Sequence, residues 1–176
     1  SSAASDVYKR QGHELLAELE KSFHVTVVTQ NIDNLHERAG SSRIVHLHGE
    51  LTKVCSSRDP HNPHYIKELK PEEYEVKMGD KADDGTQLRP FIVWFGEAVP
   101  EIETAIQYVE KADIFVIIGT SLNVYPAAGL LHYVPGGAEV YLIDPKPVDT
   151  HTSRSIHVIQ KGASEGMGEL KQLVGV

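Results

Sequence analysis

Short apolar runs alternate with helical patterns along this chain, and that alternation narrows its fold more than any other feature. Leu15, Leu16 and Leu19 recur at helical spacing among Glu14, Glu18 and Glu20, which predicts a helix over about 13–22. The β-branched run from Val25 to Thr29 predicts a buried strand. A polar loop then leads into a short helix that stops at Gly40, followed by a strand from Arg43 to His48. Further strands are expected from Phe91 to Phe95, across DIFVIIGT (113–120), at 138–143 and near 155–160. Helices are expected near 101–111, 126–133 and 164–174. Strands alternating with helices imply an α/β fold, a parallel sheet with helices on both faces.

Two stretches fall outside the pattern. Residues 1–11, SSAASDVYKRQ, are small and polar and read as a tail or a scar. From Glu50 to about Leu88 the chain is rich in charge, Pro and Gly, which reads as a small inserted module. The expected division is therefore a main domain of 12–49 and 89–176 around a module of 50–88.

Composition excludes several function classes. With 40% hydrophobic and 24% charged residues, the 176-residue chain can bury a core and is not of the disordered class. No apolar run reaches the ~20 residues of a membrane helix, and there is no apolar segment of a signal peptide at the N-terminus. A net charge of −8 argues against nucleic acid as a partner. One Cys makes neither an internal disulfide nor a Cys-only zinc site, and it suits a reducing, cytoplasmic setting.

An open parallel sheet binds its ligands where the strands end. Gln30, Asn31 and Asp33 follow the first predicted strand, and His48, Gly49 and Glu50 close the second. Trp94, Phe95, Gly96 and Glu97 lie at the end of the third, Gly119, Thr120 and Ser121 after the fourth, and Asp144 after the fifth. Each turn alone is common; their joint occurrence points to a nucleotide site. The amides of Gln30 and Asn31 offer donors and acceptors to ribose hydroxyls or a carboxamide. Asp33 could accept from a carboxamide or order a water. An imidazole such as that of His48 takes and gives protons near neutral pH.

TQNIDNLHERAG followed by HLHGE resembles the sirtuins, the NAD-dependent protein-lysine deacylases. FGE, GTS and NVYPAAGL follow in that family's order, and the NIDNLHERAG and VWFGE spellings resemble its bacterial branch. The resemblance runs from about Gly12 to the C-terminus. It implies a Rossmann-like sheet, NAD as cofactor, and an acylated-lysine protein or peptide as partner. It implies that Gln30, Asn31, Ile32 and Asp33 line the nicotinamide and ribose pockets, with Asn31 and Asp33 joining His48 in catalysis. His48 would be the base that activates a ribose hydroxyl, and the products would be nicotinamide, free lysine and an acylated ADP-ribose. Gly119, Thr120 and Ser121 would meet NAD through backbone N–H and hydroxyl groups, with Asp144 and Ala163 completing the cofactor site. Val93, Trp94, Phe95, Gly96 and Glu97 resemble the segment that takes the substrate peptide as an added strand, with Val124 and Tyr125 beside it. The plainer readings stay open: Trp94 and Phe95 as core, Gly119 as a turn glycine, Tyr125 and Pro126 as helix punctuation.

The chain departs from the family in three ways. Many sirtuins carry two C-x-x-C pairs in the insertion, whereas this chain has Cys55 alone. We therefore expect no structural zinc, and a module packed through Tyr65, Ile66, Leu69, Tyr74 and Val76. Asp59, His61 and His64 could hold a metal, but a polar Pro-rich loop is the plainer reading. Asp144 stands where the family usually has Asn; its carboxylate can accept from ribose hydroxyls and would repel a 2′-phosphate, favouring NAD over NADP. The family's opening strand and glycine-rich loop have no counterpart in residues 1–11, so the fold is expected to lack its first strand. The rival to a deacylase is a remnant that binds NAD or ADP-ribose without turnover.

Overall fold

The computed structural model describes residues 2–70, 76–94, 96–120, 122, 125–150 and 152–176, with backbone alone for 2–9. The elements run α1 (Ser2–Glu18), β1 (Val27–Thr29), α2 (Leu35–Ala39), β2 (Ile44–His46), β3 (Gly49–Ser56), β4 (Lys67–Glu68) and β5 (Leu88–Ile92). They continue as α3 (Glu101–Val109), β6 (Ile114–Ile118), β7 (Glu139–Ile143), β8 (His157–Ile159) and α4 (Ala163–Leu173). Three-residue 3-10 turns lie at Leu19–Lys21 and Pro63–Tyr65, and a longer 3-10 helix spans Ala127–Tyr133. The chain divides into two compact units. One comprises Ser1–Val27, Leu35–Val45 and Ile102–Val176; the other comprises Val28–Asn34 and His46–Glu101.

The first unit is built on the parallel sheet β6-β7-β8. Successive strand side chains point to opposite faces. On one face Tyr141, Ile143 and Ile159 pack with Leu19 and with Met167 and Leu170 of α4, joined by Leu15, Leu16, Ile114, Val116 and Ile118. The alternate residues Ile117, Val140 and Leu142 face the other way and are also buried. So are Ala105 and Val109 of α3, and Leu130 and Val134 at the 3-10 helix. Each such Val, Leu, Ile or Met side chain contributes roughly 1.5–3 kcal/mol on burial. Gly166 permits the close seat of α4: a Cβ there would lie 2.2 Å from Cγ2 of Ile143. The register sets Ile118, Ile143 and Ile159 in one row, so Gly119 and Asp144 emerge side by side at the carboxyl edge.

β1 and β2 form a separate two-stranded sheet. Val27 N–H donates to Arg43 C=O and Leu47 N–H to Thr29 C=O, a same-sense progression that makes the pair parallel. Among the described residues no strand pairs with the outer side of β6.

The second unit holds an antiparallel sheet, β4-β3-β5. This differs from the sequence expectation in two respects. The third apolar run does not join the parallel sheet; the strand there is Leu88–Ile92, at the edge of the antiparallel sheet, where Pro90 is tolerated. β3 lies in a stretch expected to be irregular, because Glu50, Lys53 and Ser56 interrupt its apolar pattern. The buried residues of the module are also other than those expected. Val54, Cys55, Ser56 and Ala82 are its buried residues, while Tyr65, Ile66, Leu69 and Val76 are half-buried and Tyr74 lies outside the described residues. At the N-terminus, α1 begins at Ser2, where an irregular tail was expected. Ala, Lys, Arg and Gln in that stretch are sound helix formers and carry the pattern of 13–18 upstream.

Candidate functional site

Three of the predicted segments meet within the second unit through backbone hydrogen bonds. The loop after β1 leaves Thr29 and carries Gln30, Asn31, Ile32 and Asp33. Leu51 N–H donates to Ile32 C=O at 2.8 Å, tying this loop to β3. The turn between β2 and β3 carries His48, and Val93 N–H donates to His48 C=O at 2.9 Å. The predicted base and the start of the predicted peptide segment are thus joined directly. Gly49 is required at this junction: its φ is +85°, and a Cβ would lie 2.0 Å from the carbonyl oxygen of Phe91.

The loop that carries Gln30 and Asn31 is held from two sides. The buried Thr29 hydroxyl accepts from Asn31 N–H at 3.0 Å. The buried His46 ring lies with Nδ1 3.1 Å from Asn31 C=O, so Nδ1 carries the proton and donates. Nε2 of His46 lies 3.9 Å from Oε1 of Glu50, which in turn pairs with Lys53 at 2.6 Å. Asn31 itself is exposed, and Gln30, Ile32, Asp33 and His48 are half-buried. Among the described residues the imidazole of His48 makes no hydrogen bond or ion pair.

The segment after β5 forms a tight turn. Glu97 N–H donates to Trp94 C=O at 3.1 Å, and Gly96 has φ +83°. Trp94 is 54% exposed, which excludes the reading of it as core. Arg89 reaches both ends of this turn. Phe95 lies outside the described residues, as do Ser121 and Val124.

The remaining predicted cofactor residues belong to the first unit and sit where its parallel strands end. Gly119 donates its N–H to Ile143 C=O at 3.1 Å and has φ +64°, with no atom within 4 Å of the place a Cβ would take. Thr120 follows it, half-buried. Asp144 N–H donates to Ile159 C=O, and its Oδ1 accepts from Lys146 N–H at 2.8 Å. Ala163 is the first residue of α4, exposed, with Gly162 as an N-cap that offers no side chain. Tyr125 is 69% exposed.

Each unit offers one observation that fits a nucleotide ligand. Nε2 of Gln30 is buried without a hydrogen-bond partner among the described residues, a donor awaiting an acceptor. Gly119 presents open backbone with positive φ at a strand end, where a ligand can approach closely. Two of the three residues considered for a metal have other contacts. Asp59 accepts from Asn62 at 3.0 Å, and the His61 ring packs edge-on against Phe91. Cys55 is buried with Sγ 3.8 Å from Pro90 C=O, and burial pushes its thiol above the ordinary range against the pull of Arg89.

Comparison with known proteins agrees with this geometry. The profile of the Sir2 family matches residues 2–126. The chain belongs to the sirtuin family. It is 88% identical over 169 residues to an NAD-dependent protein deacylase of Bacteroides thetaiotaomicron, covering 96% of this chain and 72% of the relative. It is 48% identical over 165 residues to an NAD-dependent protein deacylase of Helicobacter pylori, covering 94% and 69%. Among solved structures, a Sir2 homolog–NAD complex superposes with a TM-score of 0.75 at 34% identity, covering 93% of this chain and 64% of that one. A Sir2–p53 peptide–NAD+ structure gives 0.72 at 30%, covering 94% and 70%. This sirtuin chain thus spans about two thirds to three quarters of the proteins it matches, and less than two thirds of the first of these structures. The fold of the family is the Rossmann-like α/β arrangement seen in the parallel sheets.

Sequence reasoning passed over Thr29, His46 and Arg89. Their work is to hold backbone carbonyls and turns, and such work has no residue-type pattern of its own. The alternation in His-Leu-His was the one available signal for His46.

Proposed function

We propose that this sirtuin chain carries NAD-dependent protein-lysine deacylase chemistry, with an acylated-lysine peptide as substrate. The observation that supports it best is the backbone linkage of His48 to Val93, beside the loop of Gln30 to Asp33. NAD, when bound, supplies a leaving nicotinamide and an electrophilic ribose carbon. Gln30 and Asn31 orient a carboxamide and ribose hydroxyls, and Asp33 takes part beside them. Gly119, Thr120, Ser121, Asp144 and Ala163 hold the rest of the dinucleotide. His48 takes a proton from a hydroxyl at its free imidazole. Val93 to Glu97, with Val124 and Tyr125, receive the peptide.

In this reading the 50–88 module needs no zinc, since Cys55 is a buried thiol without a second cysteine. Metal analysis that found one zinc per chain would overturn that point. No helix among the described residues is long and apolar enough to cross a membrane, and the lone cysteine suits a cytoplasmic setting.

The test is His48→Ala. NAD-dependent release of free lysine from an acyl-lysine peptide should fall by at least 10²-fold, the usual worth of a positioned base. NAD affinity measured by calorimetry should stay within about threefold, because a phenotype in turnover alone marks a group that acts on the reaction. Near-wild-type turnover would remove His48 from the mechanism. Wild-type protein that binds NAD yet never turns over would favour a binding role.

A further inference from the structure

We propose that Arg89 is the positioning residue of the peptide-binding turn, with Glu97 as its counter-charge. This rests on the reading of residues 93–97 as the segment that receives the peptide.

Arg89 lies on β5, opposite Cys55 of β3, and so on backbone that a sheet holds rigidly. A single nitrogen, Nη2, makes three contacts: 2.9 Å to Ile92 C=O, 3.0 Å to Oε1 of Glu97 and 3.3 Å to Oε2 of Glu97. Ile92 immediately precedes Val93, and Glu97 closes the turn. One guanidinium therefore grips the segment at its entry and its exit. The entry is gripped a second time by the bond from Val93 N–H to His48 C=O. With both ends held, Trp94 is carried outward, 54% exposed, on a turn whose Gly96 takes positive φ.

The chemistry favours arginine for this task. Its planar fork fixes the directions of its N–H groups, so it can meet a carbonyl and a carboxylate at once, which a lysine ammonium on a flexible stem does less well. The side chains of Arg89 and Glu97 are 22% and 31% exposed, so solvent screens the pair less than an open surface bridge. Nε of Arg89 is buried without a partner among the described residues, so the guanidinium carries a desolvation cost that its Nη2 contacts must offset. A side chain under that cost stays where its partners are. Strand addition needs this stillness. The incoming peptide must find backbone groups already in line, and a turn freed at one end would have to be ordered at each binding event.

Trp94 makes the proposal measurable, because it is the sole tryptophan of the chain and sits on the turn itself. Titrate an acyl-lysine peptide into the whole chain and follow Trp94 emission, for wild type, Arg89→Gln, Arg89→Lys, Glu97→Gln and the Arg89→Gln/Glu97→Gln pair. Wild type should respond saturably. Arg89→Gln should weaken peptide binding about tenfold and raise acrylamide quenching of Trp94. Glu97→Gln should weaken it comparably, and the double change should be no worse than the worse single one, the mark of two groups acting as a unit. Arg89→Lys should recover only part of the affinity. NAD affinity should stay within twofold throughout, which general damage to the fold would not allow. Should Arg89→Gln fail to fold, Glu97→Gln alone carries the comparison. Wild-type peptide affinity in Glu97→Gln, or additive effects in the pair, would overturn the clamp. A wild-type chain whose Trp94 ignores the peptide would instead overturn the reading of 93–97 as the peptide segment, and the clamp with it.

Discussion

His46 and His48 stand two residues apart on one turn of chain and do opposite things. His46 is buried and commits its Nδ1 proton to Asn31 C=O, whereas the imidazole of His48 has no partner among the described residues. The first holds a loop; the second is the base of the proposed reaction. His46→Phe keeps the buried ring volume but removes the donor that ties the Asn31 carbonyl to β2. Because that carbonyl belongs to Asn31, the loop should relax at the site itself. NAD affinity by calorimetry should fall about tenfold. His46→Asn, whose amide can replace Nδ1 as donor, should retain most of it. Equal affinity for His46→Phe and wild type would show that the loop is held without this bond. His48 stood out in the sequence because the HGE spelling followed TQNID. His46 did not, because its partner is main chain fifteen residues upstream, and main chain leaves no residue-type signal.

At the scale of elements, the antiparallel sheet of the second unit is fastened by a polar clasp. Ser56 is fully buried; its hydroxyl donates to Oδ2 of Asp84 at 2.5 Å, lies 2.9 Å from Oγ1 of Thr86, and accepts from Arg58 and Asp59 N–H at 3.1 Å. Thr86 donates to Oδ1 of Asp84 at 2.6 Å. These bonds cross from β3 to the turn before β5, joining the two arms of the module. Ser56→Ala leaves several of these groups unpaired and should cost about 1–3 kcal/mol in denaturant unfolding. An unchanged midpoint would mean the clasp adds nothing to the fold. The hydrogen bonds of Ser56 and then Thr86 hold the Asp84 carboxyl below its ordinary range. A depressed carboxyl stabilises the fold above the unfolded value of about 4, and that stabilisation is lost as pH falls through the lower folded value. The wild-type midpoint should therefore drop between pH 5 and pH 3 by more than that of Asp84→Asn. Parallel drops in the two proteins would remove Asp84 as a source of acid sensitivity. These elements were poorly legible. β6 and β7 announce themselves by apolar content, and α4 by its period. β3 is held by Gly49 and by polar side chains, which a hydrophobic pattern does not register.

For the molecule as a whole, the proposed reading places the choice between NAD and NADP at the carboxyl ends of β6 and β7. Asp144 emerges beside Gly119, and Oδ1 accepts from Lys146 N–H; in the proposed reading Oδ2 accepts from a ribose hydroxyl. The net charge of −8 adds no attraction for further phosphate. This arrangement was legible at the level of which residue follows which strand, because strand ends in a parallel sheet are where ligands bind. The partition into two compact units was not, since β1 and β2 each contribute residues to both. A ligand that binds the native state alone stabilises it by RT ln(1 + [L]/Kd), about 2.7 kcal/mol at a hundredfold excess over Kd. For a chain of this size each kcal/mol moves Tm by about 2–4 °C, so saturating NAD should raise the midpoint by roughly 5–10 °C. NADP at the same concentration should raise it far less, because its 2′-phosphate meets the Asp144 carboxylate. Asp144→Asn removes that charge and keeps an acceptor, and it should narrow the gap between the two dinucleotides chiefly by admitting NADP. If NAD and NADP stabilise the wild-type chain equally, Asp144 does not face the ribose. If Asp144→Asn leaves the gap untouched, the discrimination arises elsewhere along the strand ends.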